Sequence, residues 1–354
     1  MSHNGNRPIF LLSIDGGGIF GLLALKVLEY LEEKSKRPIS SLFDCITGVS
    51  AGGLIALGLV TPHSSRPGPA YSARQLSTFF EKNAKKVFQK TAAQHIAHKI
   101  PLIGTLNHLL FSKYCSKGAH ALYADLLGQN CMSQALTHTI IPAYNIHGAD
   151  KKGPRLKVFD SLNIAKKNTS PSTMQDFLMY EVALATSAVP TYFPPHRMHT
   201  VDAESQKIIS NYHLIDGGVA INNPTVLAYS DLRARYPKSP IYALSLGVGS
   251  SPEIYTSMLN NPSPGALAWL GKISHMIVLP QLSVYKKLLT NLQKEAPKSG
   301  SYWRIQPKDH EKLSKFDDVS ADHLRHIAQT GADMLQHNGH ILDALMEYFQ
   351  KSSP

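Results

Sequence analysis

A chain of 354 residues with 43% apolar content can bury a large core, as one domain or two. Lysine and arginine (36) outnumber aspartate and glutamate (25), and a net charge of +11 favours anionic surfaces such as phospholipid head groups, nucleic acid or acidic partners, or is simply a solvated basic exterior. Three cysteines, Cys45, Cys115 and Cys131, argue against a disulfide framework and suit a reducing compartment or a fold independent of bridges.

The first apolar run, residues 9–14, is too short for a signal-peptide core, and no stretch reaches the roughly 20 apolar residues of a membrane span. The chain is expected to be cytoplasmic or peripheral to a membrane, any export following a non-classical route. Residues 9–14 read as a buried parallel strand, followed by the glycine loop Asp15-Gly16-Gly17-Gly18-Ile19-Phe20-Gly21. A helix over 21–34 follows, its inner stripe formed by Leu22, Leu25, Leu28 and Leu31. A second strand leads through Gly48-Val49-Ser50-Ala51-Gly52 into a helix over 51–60. This β-α-β-α opening argues for an α/β sheet with helices on its faces.

Residues 61–125 read as a helical insertion, with an amphipathic helix over 72–90 and a second helical stretch over 95–110 broken at Pro101 and Gly104. It is either a lid or membrane-facing cap, or an ordinary covering layer. Strands are expected over 139–144 and 156–159, a helix over 175–186, a proline-locked loop over 187–195, and a short strand over 213–215 ending in Asp216-Gly217-Gly218. Asn222-Asn223-Pro224 opens a helix to about Tyr236, followed by a buried strand over 241–246. Helices over 263–295 kinked at Pro280, an edge strand over 302–305 and a terminal helix over 322–349, bent or broken near Gly339, complete the chain. No repeat and no interdomain linker interrupts it.

The chemistry gathers at Ser50. In Gly48-x-Ser50-x-Gly52 the strand-to-helix turn is so tight that side chains at 48 and 52 would collide. The serine is forced into strained backbone geometry, its hydroxyl held at the amino end of a helix, where negative charge is favoured. Acyl transfer also needs a base and donors for the oxyanion. The amides of Gly16, Gly17 and Gly18 are candidate donors, at the sheet edge where α/β folds bind ligands. Gly16-x-Gly18-x-x-Gly21 also fits a dinucleotide fingerprint. That reading lacks its acidic residue at the end of the second strand, where the serine turn stands instead. The base is either one of 17 histidines or Asp216, which ends an apolar strand and is followed by two glycines that leave its surroundings open.

Taken in order, Asp15 to Gly21, Gly48 to Gly52 and Asp216 to Gly218 resemble the three motifs of the patatin-like phospholipases. Further similarity lies in Ala185-Thr186-Ser187-Ala188-Val189-Pro190, Asn222-Asn223-Pro224, Leu244-Ser245-Leu246-Gly247 and Arg304-Ile305-Gln306, so the resemblance spans about residues 8–349 as a single domain. It implies a three-layer α/β fold with a mostly parallel central sheet and a helical, lid-like insertion. It implies phospholipase A-type hydrolysis of lipid acyl esters through a Ser-Asp dyad, with Ser50 as nucleophile and Asp216 as base. Gly16, Gly17 and Gly18 would form the oxyanion hole, with Gly48, Gly52, Gly217 and Gly218 as motif glycines and no cofactor, metal or nucleic acid required. Phe20 departs from the pattern, standing where the family usually carries Arg or Lys. A patatin-shaped binding or regulatory module with little turnover, or an enzyme awaiting an activator, is the alternative. Phe79-Phe80, Val87-Phe88 and residues 276–279 are candidate membrane-facing patches. Oligomeric state and lipid preference stay open.

Overall fold

The computed structural model describes residues 7–89, 112–147, 153–167, 176–201, 208–249, 281, 283–285, 287–291, 300–308 and 315–352. Strand β1 (Ile9–Ile14) is buried along its whole length. Phe10, Leu12 and Ile14 enter one core cluster while Ile9 and Leu11 enter another on the opposite face, which is why the strand is apolar without alternation. Helix α1 (Gly21–Ser35) buries Leu22, Leu25, Leu28 and Leu31, the stripe read from their spacing. A short α2 (Ile39–Leu42) leads to β2 (Cys45–Gly48), and α3 (Ala51–Val60) follows with all ten residues buried.

The amphipathic segment forms α4 (Ala73–Val87), opened by a Ser72/Gln75 capping box. Its apolar side turns inward: Ala73 and Leu76 are buried, and Phe79, Phe80 and Val87 pack against the core rather than facing a membrane. The Phe88 ring packs at a tilt against those of Tyr114 and Phe193. Lys82, Lys85 and Lys86 are exposed. The expected helix over 95–110 and the patch over 276–279 lie outside the described residues. Helix α5 (Lys117–Leu127) packs beside α4.

Strands β3 (His138–Asn145) and β4 (Arg155–Asp160) form an antiparallel pair, and α6 (Ser161–Lys167) follows. Helix α7 (Met179–Thr186) begins later than the residue 175 expected. Two strands then pair where only residues 213–215 were expected: β5 (His196–Val201) and β6 (Ile208–Asp216), antiparallel with a register shift at Thr200/Val201. Helix α8 (Thr225–Arg235) starts immediately after Pro224. Strands β7 (Ile241–Leu246) and β8 (Tyr302–Ile305) fall as expected, β8 at the sheet edge. Of the helices expected over 263–295, residues 263–280, 282, 286 and 292–295 lie outside the described set. The terminal helix α9 (Ala321–Ser352) runs through Gly339 without a break. Ile327, Met334, Leu342, Leu345 and Phe349 are buried, and this packing outweighs the roughly 1 kcal/mol that a helical glycine costs.

The described strands make one sheet, in the order β5-β6-β3-β2-β1-β7-β8 with β4 also on β3. Its centre and one flank are parallel and the β3–β6 side is antiparallel. Helices α1 and α3 cover one face and α8 packs on the other, giving three layers. The register of β3 positions the site. One of its edges is filled by β4 over Ile140–Asn145. A strand has only two edges, so β2, pairing at His138–Ile140, and β6, pairing at Ala143–Asn145, must share the other. Where β2 leaves the sheet at the Ser50 turn, β6 enters from the opposite direction and delivers Asp216 opposite Ala143.

Candidate active site

Ser50 has φ 56° and ψ −128°, a backbone conformation that only a tightly determined turn holds for a residue with a side chain. Both flanking glycines are demanded by contact. A Cβ on Gly48 would lie 2.1 Å from the Gly52 carbonyl oxygen, and one on Gly52 would lie 2.4 Å from that of Ile14. Helix α3 begins at the next residue, so its amino end faces the Ser50 side chain. The Ser50 N–H donates to Thr186 Oγ1 at 3.0 Å, and the Thr186 hydroxyl donates to the Pro142 carbonyl at 2.6 Å.

The structure brings Asp216 to Ser50. The Asp216 carboxyl is buried; Oδ1 accepts from the Gly218 N–H at 2.6 Å. Burial pushes its pKa up to about 7, held from rising further by the Ser50 hydroxyl and the Gly218 amide. Oδ2 completes no hydrogen bond among the described residues, which leaves its lone pairs free for a proton. No described histidine hydrogen-bonds to either residue. Gly217 and Gly218 do not open space around the carboxylate; they let it be enclosed. A Cβ on Gly217 would meet the Pro142 carbonyl at 2.3 Å, and one on Gly218 would meet Asn222 Oδ1 at 2.9 Å.

The glycine loop adjoins the serine: a Cβ on Gly16 would lie 3.1 Å from Ser50 Cβ. The Gly16 N–H is committed to the Asn222 carbonyl at 3.3 Å, whereas those of Gly17 and Gly18 have no partner among the described residues. Gly18, at φ +55°, lies under the Phe316 carbonyl, which also accepts from the Ile19 N–H at 2.9 Å. Phe20 is a core residue, its ring 5.7 Å from that of His323 on α9. The loop is anchored by an ion pair in which Asp15 is buried and Arg304 half-buried: Arg304 binds both Asp15 oxygens, at 2.9 and 2.5 Å, and donates to Ser245 Oγ at 2.7 Å.

Thr186, Arg304 and Asn222 were not assigned roles from sequence. Their motifs were visible, but each acts across a long separation, 136 residues for Ser50–Thr186 and 289 for Asp15–Arg304. At the far end of the sheet His138, Asp160 and Asp231 bring ligand atoms within 4.8 Å of one another. Arg235 already supplies the cation there, reaching Asp231 at 2.5 Å and Asp160 at 2.7 Å. All three cysteines are free. No described helix is long and apolar enough to cross a membrane.

One three-layer α/β fold thus carries a serine on a strained strand-to-helix turn, a buried carboxyl and a glycine loop at the same end of its sheet. The chain belongs to the patatin-like phospholipase family, whose model (Patatin-like phospholipase) matches residues 12–229. It is 26% identical over 384 residues to Patatin-like protein 2 of Oryza sativa subsp. indica, covering 96% of this chain and 89% of that protein. It is 28% identical over 351 residues to Patatin-16 of Solanum tuberosum, covering 93% and 84%. Among solved structures, human GIVD cytosolic phospholipase A2 aligns with a TM-score of 0.48 at 9% identity, covering 97% of this chain and 60% of that one. VipD from Legionella pneumophila aligns with a TM-score of 0.34 at 12% identity, covering 99% and 68%. Membership in the family supports lipid acyl hydrolysis as the general activity.

Proposed function

We propose that this protein is a phospholipase A-type lipid acyl hydrolase working through a Ser50 acyl-enzyme with Asp216 as general base. The observation that carries the reading is the buried Asp216 carboxyl against the Ser50 hydroxyl, with a pKa of about 7. As Oγ attacks the ester carbonyl, Asp216 accepts its proton; the tetrahedral oxyanion is met by the N–H groups of Gly17 and Gly18 in the loop before α1. Gly16 frames this cradle rather than donating, because its N–H is bonded to Asn222. Collapse expels the lipid alcohol, which takes the proton back from Asp216. Water then repeats the sequence on the acyl-enzyme, releasing the fatty acid.

The donors in this scheme are backbone groups, so Phe20 in place of a cation leaves it intact. Contact with anionic membrane is part of the proposal, through the exposed Lys82, Lys85 and Lys86 of α4. The test is fatty-acid release from a panel of phospholipid vesicles. Release by wild type and none by Ser50→Ala supports the enzyme. No release from any lipid, with no labelling of Ser50 by a fluorophosphonate, favours the binding or activator-dependent alternative.

A further inference from the structure

We propose that Thr186 is a positioning residue of the reaction: the end of α7 that carries it grips Ser50 with a hydroxyl and Asp216 with a carbonyl, and thereby sets the spacing of nucleophile and base. The inference rests on the reading of Ser50 and Asp216 given above.

The Ser50 N–H has no place in a regular ladder. Strand β2 has ended at Gly48, and the amides at the start of a helix find no acceptor within it. Thr186 Oγ1 supplies that acceptor at 3.0 Å. The hydroxyl has a single proton, and it is spent on the Pro142 carbonyl at 2.6 Å, so a lone pair must face Ser50. The Thr186 methyl group lies close to Gly53, where a Cβ would come within 2.8 Å of Cγ2. Thr186 is fully buried, so water cannot substitute for it.

Two residues further on, the Ala188 carbonyl accepts the Asp216 N–H at 2.9 Å. The Pro142 carbonyl that anchors Thr186 belongs to the residue before Ala143, the register partner of Asp216, and Gly217 packs on that same carbonyl. Serine and aspartate are thus held by one short piece of chain, referred to one point on β3. Loosening the Thr186 contact frees the Ser50 backbone, which is strained, while Asp216 stays in place. A displacement on the order of 1 Å at a reacting group can lower a rate about 10²-fold.

The test compares wild type, Thr186→Val, which keeps the shape without the hydroxyl, and Thr186→Ser, which keeps the hydroxyl without the methyl. Each is assayed on a p-nitrophenyl acyl ester and titrated with a fluorophosphonate, so that kcat refers to folded protein. Thr186→Val is expected to lose on the order of 30-fold in kcat with KM within about twofold, and Thr186→Ser to recover to within about fivefold of wild type. The pH–rate inflection of Thr186→Val should move to higher pH, because the Ser50 hydroxyl helps hold Asp216 in its charged form. Among the described residues, Tyr123, whose charge would interact with that of Asp216, is pushed up to about 12 and stays neutral throughout. If Thr186→Val does not fold, Thr186→Cys, with a weakly bonding thiol, is read in its place against the same criteria. Turnover within twofold of wild type, an unmoved pH profile, or an equal loss in Thr186→Ser overturns the role of Thr186 alone. Failure to label wild type at Ser50 overturns the dyad reading itself, and this inference with it.

Discussion

Replacing Asp216 with Asn removes a charge while preserving shape and an oxygen for the Gly218 N–H, now bonded at 2.6 Å. Burial raises the carboxyl from an ordinary 3.8 to about 7. Between those values the folded chain keeps a proton that the unfolded chain has lost, so stability falls as pH rises. The carboxyl's contribution is full below about pH 4 and is lost as the pH climbs through about 7. A gap of about 3 pH units at ~1.36 kcal/mol each gives a ceiling of about 4 kcal/mol. With an unfolding entropy of roughly 0.7 kcal/mol/K for a chain of this size, that is about 5 °C in Tm. Asp216→Asn should therefore match wild type near pH 4 and melt up to about 5 °C higher near pH 8, while losing on the order of 10²-fold or more in turnover. Calorimetry across that range reads the difference directly. A Tm difference flat with pH, or a mutant less stable near pH 8, would refute the claim that a costly buried carboxylate stands beside the serine.

Ser50→Gly should abolish fluorophosphonate labelling and raise stability by about 1–3 kcal/mol in a denaturant titration, because glycine relieves the positive φ at the turn. Gly48→Ala places a methyl 2.1 Å from a backbone oxygen that cannot move without dismantling the turn; the soluble yield should collapse, and a well-folded Ala variant would show the turn to be looser than described. Arg304→Met leaves Asp15 buried without its partner and should cost about 3–5 kcal/mol near pH 8, less near pH 4 where the carboxyl can protonate; equal cost at both would mean the pair is not what anchors the glycine loop.

What the sequence made legible was local. The Ser50 turn, the glycine loop and the strand ending at Asp216 each lie within a few residues, and their glycines are required by contacts that forbid a side chain. Strand β5 was not legible, because His196, Arg197 and His199 give it the polar look of a loop; only pairing with β6 makes it a strand. The break foreseen at Gly339 did not occur, since a Cβ there would meet open space and the helix is held by its buried neighbours. Phe79 and Phe80 looked available to lipid because amphipathicity shows that a helix has an apolar face, without showing what covers it; α1 does. The tie between Thr186 and Ser50 has no local sign at all: a threonine closing an apolar helix is ordinary, and its meaning comes from a strand that ends far earlier in the chain.

The most direct measurement is the rate at which a fluorophosphonate modifies Ser50 as a function of pH, with the adduct located by mass spectrometry in wild type and Asp216→Asn. An adduct on Ser50 is expected whose rate rises through an inflection near pH 7 in wild type, with no such inflection in Asp216→Asn. An adduct on another residue, or the same inflection in both proteins, would contradict the dyad reading.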